Sequence, residues 1–167
     1  GVMSASIARL VAGGLLALIC CYIGLLIKRR YSARVKFFKS ATDFCRMLQD
    51  ELSMRKTPMP EICAKFLDGR KGQFEDYLSE WCEKAKTHED VDKDKCRLLK
   101  NDEAKDLTTF LCNLGKTDLK DQLSHVSHYE KCFEKKTDEC EEQNKKTGSM
   151  YFKLCVLLGL AVILILA

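Results

Sequence analysis

The sequence predicts an all-α fold, a cytoplasmic helical bundle of about six helices flanked by one transmembrane helix at each end. Three observations predict it. Apolar runs stand at both ends, Leu10 to Ile27 and Tyr151 to Ala167. The charged middle repeats apolar residues at three- and four-residue steps, with no lasting strand-like alternation. The two prolines, Pro58 and Pro60, lie together and leave long stretches uninterrupted. The expected boundaries are residues 1–28 for the first span, 29–147 for the bundle and 148–167 for the second span. A middle of that length can bury a core without metal or disulfide staples.

Leu10 to Ile27 carries no charge and no proline. At about 1.5 Å per residue it reaches about 27 Å, close to the hydrocarbon thickness of a bilayer. A signal peptide is the competing reading. The run is longer than a usual signal core, however, and passes into Lys28-Arg29-Arg30 without a small-x-small cleavage site. Tyr151 to Ala167 is apolar except for Lys153, which can snorkel while Tyr151 and Phe152 occupy the interface. At about 25 Å it is a short span.

Sidedness follows from charge. Lys28, Arg29, Arg30, Arg34, Lys36 and Lys39 follow the first apolar run with no acid among them, and Lys145, Lys146 and Lys153 border the second. The positive-inside rule places both groups in the cytoplasm. The protein is therefore expected in the cell membrane as a multi-pass protein with a cytoplasmic central domain and both ends outside. Met3 is a candidate initiator, and Gly1 and Val2 carry no signal.

Within the middle, Phe37, Ala41, Phe44, Cys45, Leu48 and Leu52 form one apolar stripe on a helix continuing inward from the first span. It should stop near Lys56, because Thr57 precedes Pro58 and the residue before proline avoids the α region. Thr57-Pro58-Met59-Pro60-Glu61 restarts a short helix carrying Ile62, Phe66 and Leu67, which Gly69 to Gly72 breaks. The next helix places Phe74, Tyr77, Leu78, Trp81, Cys82 and Ala85 on one face, with Trp81 expected in the core. Thr87 to Asp94 reads as an acidic loop. After Leu98 and Leu99 comes a helix with Ala104, Leu107, Phe110, Leu111 and Leu114, stopped by Gly115. Thr117 or Asp118 caps the last helix. Its inner stripe is Leu119, Leu123, Val126, Tyr129 and Phe133, and it then turns polar (Thr137, Cys140, Asn144) as an exposed stalk before Gly148 and Ser149.

Net charge is +4, from 28 Lys and Arg against 24 Asp and Glu, too mild and mixed for a nucleic-acid binder. Of ten cysteines, Cys20, Cys21 and Cys155 lie in the apolar ends, which leaves an odd number in the middle without a C-x-x-C pair or a zinc spacing. A reduced cytoplasmic compartment and a packing role suit them. His125, His128 and Cys132 fall on one helix face, but one helix rarely supplies a tetrahedral set. No catalytic constellation stands out, and neither an enzyme activity nor a cofactor is expected.

The order of features resembles the stage III sporulation protein AB family of endospore-forming bacteria. The resemblance rests on Thr57-Pro58-Met59-Pro60-Glu61, on Leu114-Gly115-Lys116-Thr117-Asp118 with Gln122, and on terminal spans ending in Leu157-Leu158-Gly159-Leu160-Ala161-Val162-Ile163-Leu164. Met59 stands where the family more often has Leu, and cysteine is unusually frequent. The resemblance implies a non-enzymatic component of the channel-like apparatus between mother cell and forespore, with a domain similar to the cytoplasmic domain of the type II secretion platform protein F. It also implies a secretion-type sporulation ATPase and other membrane channel components as partners, beside membrane lipid, and leaves an oligomer open. Loops between helices carry function more often than core faces do. The partner-binding candidates are therefore Thr57, Pro58, Met59, Pro60, Glu61, Lys116, Thr117, Asp118 and Gln122. The reading from another class is a membrane-tethered helical sensor, redox- or metal-responsive through its thiols or the His125, His128, Cys132 group.

The topology is directly testable. A membrane-impermeant thiol reagent applied to intact cells should leave Cys45 to Cys140 unlabelled, and strong labelling of that set would reverse the orientation.

Overall fold

The computed structural model describes residues 1–87 and 97–166. Among the described residues five α-helices follow one another: α1 (Val2–Asp50), α2 (Met59–Leu67), α3 (Gln73–Thr87), α4 (Asn101–Asn113) and α5 (Leu119–Leu166). A π-helical turn, Glu51–Arg55, extends α1. Among the described residues there is no strand. Most of the acidic stretch, including His88, and Cys96 lie outside the described residues. α5 runs without interruption through Gly148 and Ser149.

The chain divides into two compact units. The first comprises Gly1–Ser32 and Cys140–Ala167, so it holds the apolar part of α1 and that of α5. The two segments run antiparallel. A side chain at Gly13 would meet Val162, one at Gly24 would meet Tyr151, and Cys21 Sγ lies 4.0 Å from Cys155 Sγ between them. At Gly13 the added carbon would come within 2.8 Å of Val162, so close approach there requires glycine. Among the described residues one helix, Val2–Arg55, is long and apolar enough to cross a membrane, with a mean hydropathy of 2.6 in a window of which 0% is buried. Cys140, expected on an exposed stalk, is buried.

The second unit, Ala33–Glu139, is the packed one. Its centre is the second half of α1, which is buried on more than the one stripe expected: Phe38, Thr42 and Arg34 join Phe37, Ala41, Phe44, Cys45 and Leu48. The reason is that α1 serves two aromatic clusters. On one side Phe44 meets Phe66 of α2 at 5.1 Å and Phe74 of α3 at 5.9 Å, and Phe37 meets Phe74 at 5.4 Å. On the other, Phe38 lies 6.4 Å from Phe133 of α5, and Phe110 of α4 packs on Tyr129 at 4.9 Å and on Phe133 at 5.5 Å. Edge-to-face geometry, as between Phe37 and Phe74, adds to the burial itself. A helix needed on two sides cannot be polar on half its surface, hence the broadened stripe.

Two expectations about the core fail locally. Trp81 is half-buried at the edge of a cleft rather than in the core, where α3 presents Phe74, Tyr77 and Leu78. On α5, Leu119 is exposed and Gln122 buried, so the inner face begins about one turn later than the apolar pattern suggested, at Gln122, and continues through Val126.

One buried ion pair ties the elements together. Arg34 donates through Nη2 to Glu103 Oε1 at 2.8 Å and through Nη1 to the carbonyl of Leu98 at 2.5 Å. Glu103 also accepts the Lys100 N–H at 3.0 Å and faces Lys136 at 3.7 Å. Burial alone pushes the Glu103 carboxyl up, but the bonds from Arg34 and Lys100 and the charges of Arg34 and Lys136 hold it below the usual carboxylate range. Arg34, counted by sequence among the membrane-flanking charges, is thus a buried member of the packed unit, whereas Lys28, Arg29 and Arg30 are exposed.

A depressed carboxylate contributes fully above its unfolded value of about 4.3 and loses that contribution as pH falls through its lower folded value. Glu103→Gln should therefore cost about 3 kcal/mol or more at neutral pH, because it leaves a buried guanidinium uncompensated. It should also flatten part of the acid limb. Denaturant unfolding of the detergent-solubilised chain across pH checks both, and an unchanged midpoint at neutral pH would count against the pair.

Candidate functional site

The turn at the end of α1 is built by an irregularity that the sequence did not announce. In the π turn the Lys56 N–H bonds to the Glu51 carbonyl, and Lys56 itself takes φ 49 and ψ 38, left-handed without being glycine. Such a conformation costs about 1–2 kcal/mol in a non-glycine residue and persists only when its surroundings fix it. Glu51 provides the fixing. Its Oε2 accepts the Thr57 hydroxyl at 2.8 Å and its Oε1 the Lys65 ammonium at 2.5 Å, with Arg55 at 3.8 Å. The Lys65 and Thr57 bonds, in that order, hold its carboxyl below the usual range. One nearly buried carboxylate thus clamps Thr57 to α2, which opens at Pro58 with the Glu61 and Ile62 N–H groups both on the Pro58 carbonyl.

The second turn is simpler. Leu114 closes α4 and is buried, Gly115 turns the chain with φ 80, and the Lys116 N–H reaches the Asn113 carbonyl at 3.5 Å. The first bond of α5 runs from the Gln122 N–H to the Asp118 carbonyl at 2.9 Å, which matches the expected start at Asp118. Interaction with the neighbouring Asp118 side chain pushes the Asp121 carboxyl up.

Both turns stand at the same end of the packed unit. Arg46 bonds Glu130 at 3.1 Å and Gln49 bonds the same carboxylate at 2.6 Å, while Phe38 stacks near Phe133. The two helices are therefore antiparallel, and carrying that register forward brings the end of α1 level with the start of α5. Both turns lie at the end opposite Ala33 and Glu139. Of the candidate residues there, Pro58, Pro60, Glu61, Lys116, Thr117 and Asp118 are exposed, and Thr57 and Met59 half-exposed. Gln122 is buried and offers no free surface.

Beside the first turn α2 and α3 enclose a cleft of about 410 Å³ lined by Met59, Pro60, Cys63, Ala64, Trp81 and Cys82, among others. It is the feature that periodicity could not find, because it needs Trp81 off the core. The histidine group does not assemble: His125 Nε2 lies 3.3 Å from the Phe110 carbonyl, and His128 alone approaches Cys132, at 3.7 Å. Among the described residues no three His, Cys, Asp or Glu side chains gather as metal ligands.

The family model described as stage III sporulation protein AB matches residues 9–167. No curated protein and no solved structure matches the chain.

The second turn yields a test of its geometry. A side chain at Gly115 would meet nothing within 4 Å, so any penalty there is conformational rather than steric. Gly115→Val should lose about 1–2 kcal/mol of stability while Gly115→Asn, which tolerates positive φ, loses little. Equal thermal midpoints for Val and Asn variants would refute the assignment.

Proposed function

The chain belongs to the stage III sporulation protein AB family, which gives it a role in sporulation, and from that premise we propose that it is a membrane platform. In this reading it spans the membrane with both apolar segments, presents Ala33–Glu139 to the cytoplasm, and recruits a secretion-type ATPase of the sporulation apparatus. It turns over no nucleotide itself.

The observation that carries the reading is the placement of the Thr57–Glu61 and Lys116–Asp118 turns at the same end of the packed unit, with charged side chains of both signs exposed there. Exposed loops on a fixed helical scaffold are where proteins commonly place recognition. Membrane attachment is supported by an apolar window left unburied by the rest of the chain, which in water would be an oily surface far larger than a soluble monomer carries.

The test uses the whole chain reconstituted in lipid nanodiscs and the purified ATPase. Binding should be measurable. Glu61→Lys combined with Lys116→Glu should weaken it about tenfold or more, with helicity by circular dichroism unchanged, as expected for charges at a recognition surface. Absence of association, or full binding by the double variant, would end the platform reading and favour a tethered sensor.

A further inference from the structure

Cys21 on α1 and Cys155 on α5 face each other across the two apolar segments, with their sulfurs 4.0 Å apart. A disulfide needs the β-carbons of its two residues about 3.5–4.5 Å from each other. One turn along, a β-carbon built at Gly24 would lie 3.7 Å from Tyr151 Cβ, so the two helices run as close at this level as such a bond requires. On the other side of the pair the approach of Gly13 to Val162 keeps them together. Cys21 is exposed and Cys155 half-buried, so the first is open to whatever surrounds the apolar segments and the second stands behind it. With both segments spanning the membrane, as proposed above, that surrounding is hydrocarbon. A bare thiolate or a charged metal complex is costly there, whereas two thiols and the disulfide they become are all uncharged. An oxidant for this pair must dissolve in hydrocarbon and accept protons together with electrons. We propose that Cys21 and Cys155 form an oxidation site for a bilayer-soluble quinone, with a disulfide between α1 and α5 as the product.

The step balances between the two thiols and the quinone. Cys21 Sγ, the more accessible sulfur, adds to a carbonyl carbon of the quinone, and its proton goes to the carbonyl oxygen. Cys155 Sγ then attacks Cys21 Sγ. The carbon–sulfur bond breaks with its electron pair entering the ring, and the proton lost by Cys155 goes to the second ring oxygen. The S–S bond has formed, both S–H bonds are gone, and the quinone leaves as hydroquinone with the two electrons and two protons. The product closes the chain into a loop that contains all of Ala33–Glu139. Such a loop narrows the unfolded ensemble and so raises resistance to unfolding.

The experiment uses the reduced full chain in lipid nanodiscs without oxygen, with decylubiquinone as probe and oxidised glutathione as the polar comparison. Samples quenched over time are alkylated, digested and analysed by mass spectrometry, while hydroquinone is followed by absorbance. The linked Cys21–Cys155 peptide should appear with an equal amount of hydroquinone and reverse with dithiothreitol. Glutathione should act about tenfold or more slowly, because a charged tripeptide does not enter hydrocarbon. Cys21→Ser and Cys155→Ser should each abolish the linked peptide, and Cys20→Ser should leave its rate unchanged. The proposal is overturned if the quinone links Cys20 to Cys155, joins two chains, or leaves the pair reduced. These outcomes are read in the unmodified chain, so a serine variant that loses helicity does not blunt them. Alkaline extraction of the chain from vesicles reads insertion separately. A chain that resists extraction yet forms no bond overturns this inference alone, whereas glutathione matching the quinone places the pair in water and overturns the membrane reading with it.

Discussion

A guanidinium taken out of water must be given partners, and the packed unit is arranged around that requirement at Arg34. Its two nitrogens reach the Leu98 carbonyl and the Glu103 carboxylate, and Glu103 in turn holds the start of α4 through Lys100 and faces Lys136 on α5. Three stretches distant in sequence are thereby placed relative to one another by one charged group. Hydrophobic contact alone is tolerant of sliding, whereas a buried ion pair satisfied on several sides fixes one register. The two aromatic clusters can then close on either side of α1, because Phe37 and Phe38 are adjacent in sequence and point to different clusters.

The helices themselves were legible, because a period of three and four apolar residues survives wherever a helix packs on one side. The short helix after Pro58 and the stops at Lys56 and Gly115 followed from proline and glycine chemistry. What escaped was everything set by partners far away in sequence. Arg34 read as a membrane-flanking charge because nothing near it says that Glu103 will meet it. Trp81 read as core because aromatic size usually means burial, and only the placement of α2 leaves it at a cleft. Gln122 is buried and Leu119 exposed because the face of α5 turned inward is set by the helices it packs on and not by the local apolar pattern.

The candidate site was legible in its composition and not in its construction. Proline and glycine marked the two turns, but the π turn, the left-handed Lys56 and the clamp by Glu51 arise from one extra residue per turn, which no side-chain pattern encodes. That extra residue has a purpose in the geometry. It lets α1 end with Glu51 facing both Thr57 and Lys65, so the turn is held by a side chain rather than left to the proline alone. A surface segment fixed in this way loses less freedom when a partner docks on it.

The close approach of Gly13 to Val162 bears on how the chain is made. These positions are separated by about 150 residues, which a ribosome adding roughly 5–20 residues per second takes about 8–30 s to traverse. Throughout that interval the face of the first segment around Gly13 and Gly24 has no counterpart from its own chain. The order of synthesis therefore makes the tight contact at Gly13 one of the last the chain can form, however early its own half of that contact is made.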